Sequence, residues 1–154
     1  MTDELRDGIR AYEQQLTRPT DAPAGPKPLI LLVEDMLDAR ELYAEYLTFA
    51  GFSVVTAING HEAVGLAQLL RPDLILMDIR LPGMDGLEAT ADIRRNPDLR
   101  HIPIVAITAD PSDEIGESCR EAGCTSFLNK PVLPDVVAQH IRAVLAAGAG
   151  SGTR

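Results

Sequence analysis

Short apolar runs alternate with longer amphipathic segments along most of the chain. The runs are mostly continuous and bounded by turn residues, which predicts five buried strands: LILLV (29–33), FSVVTA (52–57), LILM (74–77), IPIVAIT (102–108) and TSFL (125–128). Between them, apolar residues recur at three- and four-residue spacing, which predicts helices over 38–50, 63–70, 85–95, 112–122 and 133–147. Strands that are apolar throughout are typical of a parallel sheet with both faces covered by helices, so the pattern predicts an α/β fold.

A further helix is predicted over residues 3–17. Its apolar residues share one helical face: Leu5, Ile9, Tyr12 and Leu16. Such a face needs a partner, and the sequence leaves three alternatives open. The helix packs on its own domain, forms a homodimer, or binds another protein.

A proline-rich stretch separates this helix from the rest of the chain. RPTDAPAGPKP places four prolines between positions 19 and 28, a composition that ends a helix and favours an extended linker. We therefore expect three parts: an N-terminal helix with its linker (1–28), one folded domain (29–147) and a flexible tail (148–154).

The charge and composition of the chain argue against several classes of protein. The 154 residues, 45% of them hydrophobic and 24% charged, suit one globular domain. With 14 Lys and Arg against 23 Asp and Glu, the net charge of -9 gives no general attraction to nucleic-acid phosphates or anionic membranes. No apolar run reaches the ~18 residues that span a bilayer, and the N-terminus is charged. We expect a cytoplasmic protein that binds neither nucleic acid nor membrane directly.

Chemically distinctive side chains follow the carboxyl ends of four strands. They are Glu34 and Asp35, then Asp78, then Thr108, and finally Lys130. Because the carboxyl ends of parallel strands meet at one edge of a sheet, these groups should converge there. Clustered carboxylates repel one another and lose solvation unless a cation neutralises them. A few carboxylates, completed by water and phosphate, suit Mg²⁺, so the sequence predicts a magnesium site.

The segments that carry these groups resemble the receiver domain of two-component response regulators: LLVEDMLDARELYAEYLTFAGFSVVTAING, PDLILMDIRLPGMDGLEA, IPIVAITA and EAGCTSFLNKPV. The resemblance covers about residues 29–147. It implies a flavodoxin-like, doubly wound five-stranded parallel sheet with strand order 2-1-3-4-5. It also implies a stand-alone, chemotaxis-receiver-like protein that takes a phosphoryl group from a sensor histidine kinase or a histidine phosphotransfer protein. The expected reader of the signal is a downstream target protein.

The resemblance assigns the acids to two roles. Asp78 corresponds to the phosphoacceptor, whose carboxylate attacks a phosphohistidine. Glu34, Asp35, Asp78 and the backbone carbonyl of Arg80 correspond to the Mg²⁺ site. The resemblance therefore implies a phosphoacceptor domain capable of autodephosphorylation rather than an enzyme in the usual sense.

The resemblance assigns the remaining groups to phosphoryl binding and switching. Lys130 corresponds to the lysine that pairs with phosphoryl oxygens, and the Lys130-Pro131 bond is expected to be cis. The backbone amide of Ala109 corresponds to a further phosphoryl donor. Thr108 corresponds to the switch hydroxyl and Phe127 to the switch aromatic.

Three alternatives compete with this interpretation. A haloacid-dehalogenase-like phosphatase also uses a nucleophilic aspartate and Mg²⁺, but it needs a second acid two residues later, where this chain has Arg80. A flavodoxin-like FMN binder needs hydroxyls and glycines after the first strand, where VEDMLDA supplies acids that repel phosphate. A degenerate receiver acting as a phosphorylation-independent docking module usually lacks one of the five site elements, and none is missing.

Overall fold

The computed structural model describes residues 3–17, 26–81, 83–109 and 113–151. The strands are β1 (Leu29–Val33), β2 (Ser53–Ala57), β3 (Leu74–Asp78), β4 (Ile104–Thr108) and β5 (Ser126–Asn129). The helices are α1 (Asp3–Thr17), α2 (Leu37–Phe49), α3 (Gly60–Leu70), α4 (Gly86–Arg95), α5 (Asp113–Ala122) and α6 (Pro134–Ser151). The predicted alternation of strands and helices is confirmed.

The five strands form one parallel sheet in the order β2-β1-β3-β4-β5, as predicted. The chain moves outward from β1 to β2 in one direction and then from β3 to β5 in the other. Strand order therefore reverses between β1 and β3, and a crevice opens at the carboxyl ends of these two strands. The register places Val33 of β1 beside Met77, and Asp78 of β3 beside Ile107 of β4.

Two apolar layers cover the sheet, which explains why the strands are apolar on both sides. On one side, Leu31 and Val33 of β1 pack with α3 and α4. On the other side, Ile30 and Leu32 of the same strand pack with α2 and α6. The sheet is thus held rigidly between helices, and its carboxyl edge is the part that presents polar groups.

Helix α1 packs on its own domain, next to the edge strand β2. Leu5 and Ile9 lie against the core on the α3 and α4 side of the sheet. Gly8 permits this approach, because a Cβ atom there would lie 3.0 Å from the carbonyl oxygen of Thr56. The first of the three alternatives for this helix is therefore the one found. The side chains of Tyr12 and Leu16, and the linker over 18–25, lie outside the described residues.

Some element ends differ from the predicted ones. Strand β4 begins at Ile104 rather than at residue 102. Helix α6 continues to Ser151, so residues 148–151, predicted as part of a flexible tail, are helical. The segment reads GAGS, and it contains no proline that would end the helix. Within the described ranges, no helix combines the length and apolarity that a membrane span requires.

Candidate functional site

Asp78 is the last residue of β3, and its carboxylate lies in the crevice at the edge of the sheet. Only 7% of the residue is exposed. The backbone N–H of Arg80 donates a hydrogen bond to Asp78 Oδ1 at 3.1 Å, so the chain that follows the strand helps to orient the carboxylate. The side chain of Arg80 itself is exposed.

Two further acids follow the adjacent strand β1. Glu34 is 2% exposed, whereas Asp35 is partly exposed. The N–H of Glu34 donates to the carbonyl of Ala57 in β2, which extends the sheet pairing into the acidic segment. Carboxylate oxygens of Glu34, Asp35 and Asp78 all lie within 4.8 Å of one another. The convergence of the three acids predicted from the strand order is therefore present.

Lys130 reaches the acids from the end of β5. Its ammonium group donates to Glu34 Oε1 at 2.7 Å and to Asp78 Oδ2 at 3.3 Å. The N–H of the same residue donates to the carbonyl of Thr108 at 2.7 Å, which fixes its backbone on β4. The peptide bond between Lys130 and Pro131 is cis, as expected. One ammonium thus bridges two of the three carboxylates.

Burial and neighbouring charged groups shift the pKa values of the site residues. Burial raises the pKa of Asp78, and the neighbouring Glu34 raises it further, to about 7. Burial alone would raise the pKa of Glu34 as well, but hydrogen bonds from Lys130 and Asp78 outweigh it, and the pKa is lowered. Burial would lower the pKa of Lys130, but its two acidic partners raise it overall. Near neutral pH, the site therefore holds an ionised Glu34, a charged Lys130 and an Asp78 that readily takes up a proton.

The donor set fits a small divalent cation. Three carboxylates face one ammonium, so negative charge exceeds positive charge in a largely buried position. Oxygen ligands from a few acids, with positions left for water and phosphate, are what Mg²⁺ prefers. Glu34, Asp35 and Asp78 are the residues that would hold it.

The other predicted site residues surround this cluster. Thr108 is the last residue of β4 and is buried, and the exposed Ala109 follows it. Thr108 lies one residue beyond Ile107, the β4 neighbour of Asp78. Phe127 lies on β5, where its ring is 3.1 Å from the position a Cβ would take at Gly116 of α5. Thr108 is therefore next to the acids, whereas Phe127 packs between β5 and α5.

Gly86 is a site residue that sequence reasoning missed. The composition of PGMDG is typical of a turn, and Asp85 caps α4 by accepting a hydrogen bond from the N–H of Glu88. Gly86 has a different role, because a Cβ there would lie 2.2 Å from the carbonyl oxygen of Asp78. Its N–H also donates to the carbonyl of Ile79 at 2.9 Å. The start of α4 therefore lies directly on the end of β3, and only glycine permits this contact.

Arg40 was also missed as a site residue. It lies in the first turn of α2, and its guanidinium donates to the carbonyls of Glu34 and Asp35 at 3.1 and 3.2 Å. In the sequence, a polar residue on an amphipathic helix gives no sign that it turns back to the preceding loop.

Comparison with known proteins places this arrangement in a family. Residues 30–142 match the family model of the response regulator receiver domain. Among curated proteins, the polar-differentiation response regulator DivK of Brucella anthropi is 39% identical over 103 residues, which cover 67% of this chain and 84% of that protein. DivK of Brucella ovis is 37% identical over the same length.

Solved structures agree with this match. The chemotaxis response regulator CheY4 of Vibrio cholerae superposes with a TM-score of 0.73 at 30% identity, covering 77% of this chain and 98% of that one. A CheY-like receiver domain protein of Methanospirillum hungatei gives a TM-score of 0.76 at 25% identity, covering 83% of this chain and 100% of that one. The chain belongs to the response regulator receiver domain family.

Proposed function

We propose that this protein is a response regulator in which Asp78 accepts a phosphoryl group from a sensor histidine kinase or a histidine phosphotransfer protein. Members of the family are phosphoacceptors of two-component signalling and bind Mg²⁺ at an acidic pocket. The observation that carries the assignment to Asp78 is its buried position between Glu34 and Lys130, at the strand end where the acids converge.

The proposed step is a direct transfer to the carboxylate. An oxygen of ionised Asp78 forms a bond to phosphorus as the bond from phosphorus to the donor histidine nitrogen breaks, and the electron pair of that bond stays on the imidazole. Lys130 neutralises charge on the phosphoryl oxygens, and the N–H of Ala109 donates to one of them. Glu34, Asp35, Asp78 and the carbonyl of Arg80 would hold Mg²⁺, which would supply further positive charge for these oxygens.

We propose that phosphorylation changes the surface that a target protein recognises. The new phosphoryl charge draws the Thr108 hydroxyl toward Asp78, and the Phe127 ring moves in response to the displaced loop after β4. A downstream target protein then recognises the altered face around α5, β5 and α6. Phe127 lacks the hydroxyl of a tyrosine, so the change depends on packing rather than on an aromatic hydrogen bond.

The acidic cluster favours this function over a phosphorylation-independent docking module. A docking surface gains nothing from burying carboxylates beside each other, because their desolvation and repulsion are costly. A phosphoacceptor needs both the carboxylate and the surplus negative charge that attracts a cation.

Acetyl phosphate with Mg²⁺, followed by intact mass measurement, tests the proposal. The wild type should gain the mass of one phosphoryl group, and Asp78→Asn should gain none. Asp85→Asn is the matched control, since asparagine caps a helix as well as aspartate and the Asp85 side chain accepts a hydrogen bond from the Glu88 N–H. An unmodified wild type, with both acetyl phosphate and a phosphorylated kinase, would favour the docking module.

Self-association through α1 is a separate proposal about partners. Leu5 and Ile9 are already packed within the chain, so a dimer would have to use other residues of the helix. Light scattering across a range of protein concentrations tests it, and a constant monomer mass would rule the dimer out.

A further inference from the structure

We propose that Arg40 is a positioning residue for the acidic pair Glu34 and Asp35, whose backbone carbonyls it holds. The inference rests on the proposed function, since it concerns how strongly the acidic cluster binds Mg²⁺. It assigns to helix α2 a role in the phosphorylation site.

Arg40 holds the backbone from which the acids project. Its Nη1 donates to the carbonyls of Glu34 and Asp35, which are consecutive residues between β1 and α2. No other side chain in the described part of the chain donates to these two carbonyls. A guanidinium suits the task because its N–H groups are fixed in one plane and stay charged at all relevant pH values. Without it, the segment loses the contact that ties it to the first turn of α2.

A positioning role and a purely electrostatic role of Arg40 predict opposite changes in Mg²⁺ affinity when its side chain is replaced. Arg40→Met keeps a long side chain but removes both the donors and the charge. If charge alone mattered, removing a cation near the site would raise Mg²⁺ affinity. We expect the loss of order in the segment of Glu34 and Asp35 to outweigh the loss of the Arg40 charge. Mg²⁺ affinity should therefore fall by about 10-fold, the lower end of the range for groups that support metal ligands. Arg40→Lys should restore most of it.

Titration calorimetry with Mg²⁺ on the full chain measures this directly. The control is Arg142→Met, since Arg142 also donates to a backbone carbonyl, that of Ala50, at the far end of α2. Affinity in Arg40→Met that is unchanged or higher would overturn the positioning role. Intact mass after acetyl phosphate, measured on the same samples, separates this result from the proposed function, because a wild type that binds Mg²⁺ without accepting phosphate contradicts only the latter. A wild type that binds no Mg²⁺ contradicts both.

Discussion

The ammonium of Lys130 donates to Glu34 Oε1 across 2.7 Å, which makes Glu34 its nearest acidic partner. Glu34 is almost fully buried, so its charge depends on this contact. Lys130→Met should therefore destabilise the metal-free protein by about 2 to 3 kcal/mol, because it leaves a buried carboxylate unpaired. Urea denaturation with a chelator present measures the loss.

The matched variant for Lys130 removes both charges. Lys130→Met combined with Glu34→Gln should recover most of the lost stability, since Glu34, the nearest acidic partner of Lys130, is then neutral and carries no unpaired charge. A single Lys130→Met variant as stable as the wild type would contradict the dependence of Glu34 on Lys130.

Asp78→Asn should stabilise the metal-free protein in a manner that depends on pH. The pKa of Asp78 is raised from 3.8 to about 7, so between these values the folded protein holds a proton that the unfolded chain releases. Folding is then penalised increasingly as pH rises through this window, and the penalty stays constant above it. We expect a gain of about 1 to 3 kcal/mol at about pH 8 and almost none near pH 4.

Denaturation curves at several pH values, in the presence of a chelator, check this prediction. Asp85→Asn is the control, since it makes the same Asp-to-Asn change at a residue whose capping role asparagine retains. A gain from Asp78→Asn that is equal at every pH would show that repulsion at the buried carboxylate is not its source.

Gly86→Ala should disrupt the contact between β3 and α4. The added Cβ would lie 2.2 Å from the carbonyl oxygen of Asp78, and a backbone atom cannot move aside as a side chain can. A loss of about 3 kcal/mol or more is expected, at the upper end for overpacking. Gly65→Ala is the control, because Gly65 lies on α3 with nothing near its added Cβ. That change should stabilise by roughly 0.5 to 1 kcal/mol through helix propensity. Equal stabilities of the two variants would contradict the close approach.

The two cysteines should resist alkylation in the folded protein. Burial raises the pKa of Cys124 to about 12, with Cys119 contributing, and burial raises the pKa of Cys119 as well. Because the thiolate is the reactive form, a pKa near 12 instead of 9.0 leaves roughly 1000-fold less of it in Cys124 at a given pH below this range. Iodoacetamide labelling followed by mass spectrometry, with and without urea, measures the difference. Rapid labelling without urea would contradict the prediction.

The fold and the acidic cluster were predictable because both depend on local pattern. Continuous apolar strands such as LILLV leave few options other than a covered parallel sheet, and the residues after such strands must meet at one edge. The positions of Glu34, Asp35 and Asp78 follow from these two facts.

The features that escaped prediction depend on distances between segments far apart in the fold or on side-chain direction. PGMDG has the composition of a turn, so the contact between Gly86 and the Asp78 carbonyl could not be read from it. The site of α1 on β2 was one of several ways to bury Leu5 and Ile9. Arg40 resembles any solvated helix residue until its direction is known.

The position of α1 bears on how two copies of this protein meet. An edge strand presents unpaired backbone groups that can template a strand from another chain, and proteins avoid such aggregation by covering or charging their edges. In this chain, the backbone of Thr56 in β2 lies beneath Gly8 of α1, with the acidic residues Glu4 and Asp7 alongside. The N-terminal helix therefore covers the edge strand and hinders edge-to-edge pairing. A bulky residue at position 8 would displace the helix and thereby also expose the edge of the sheet.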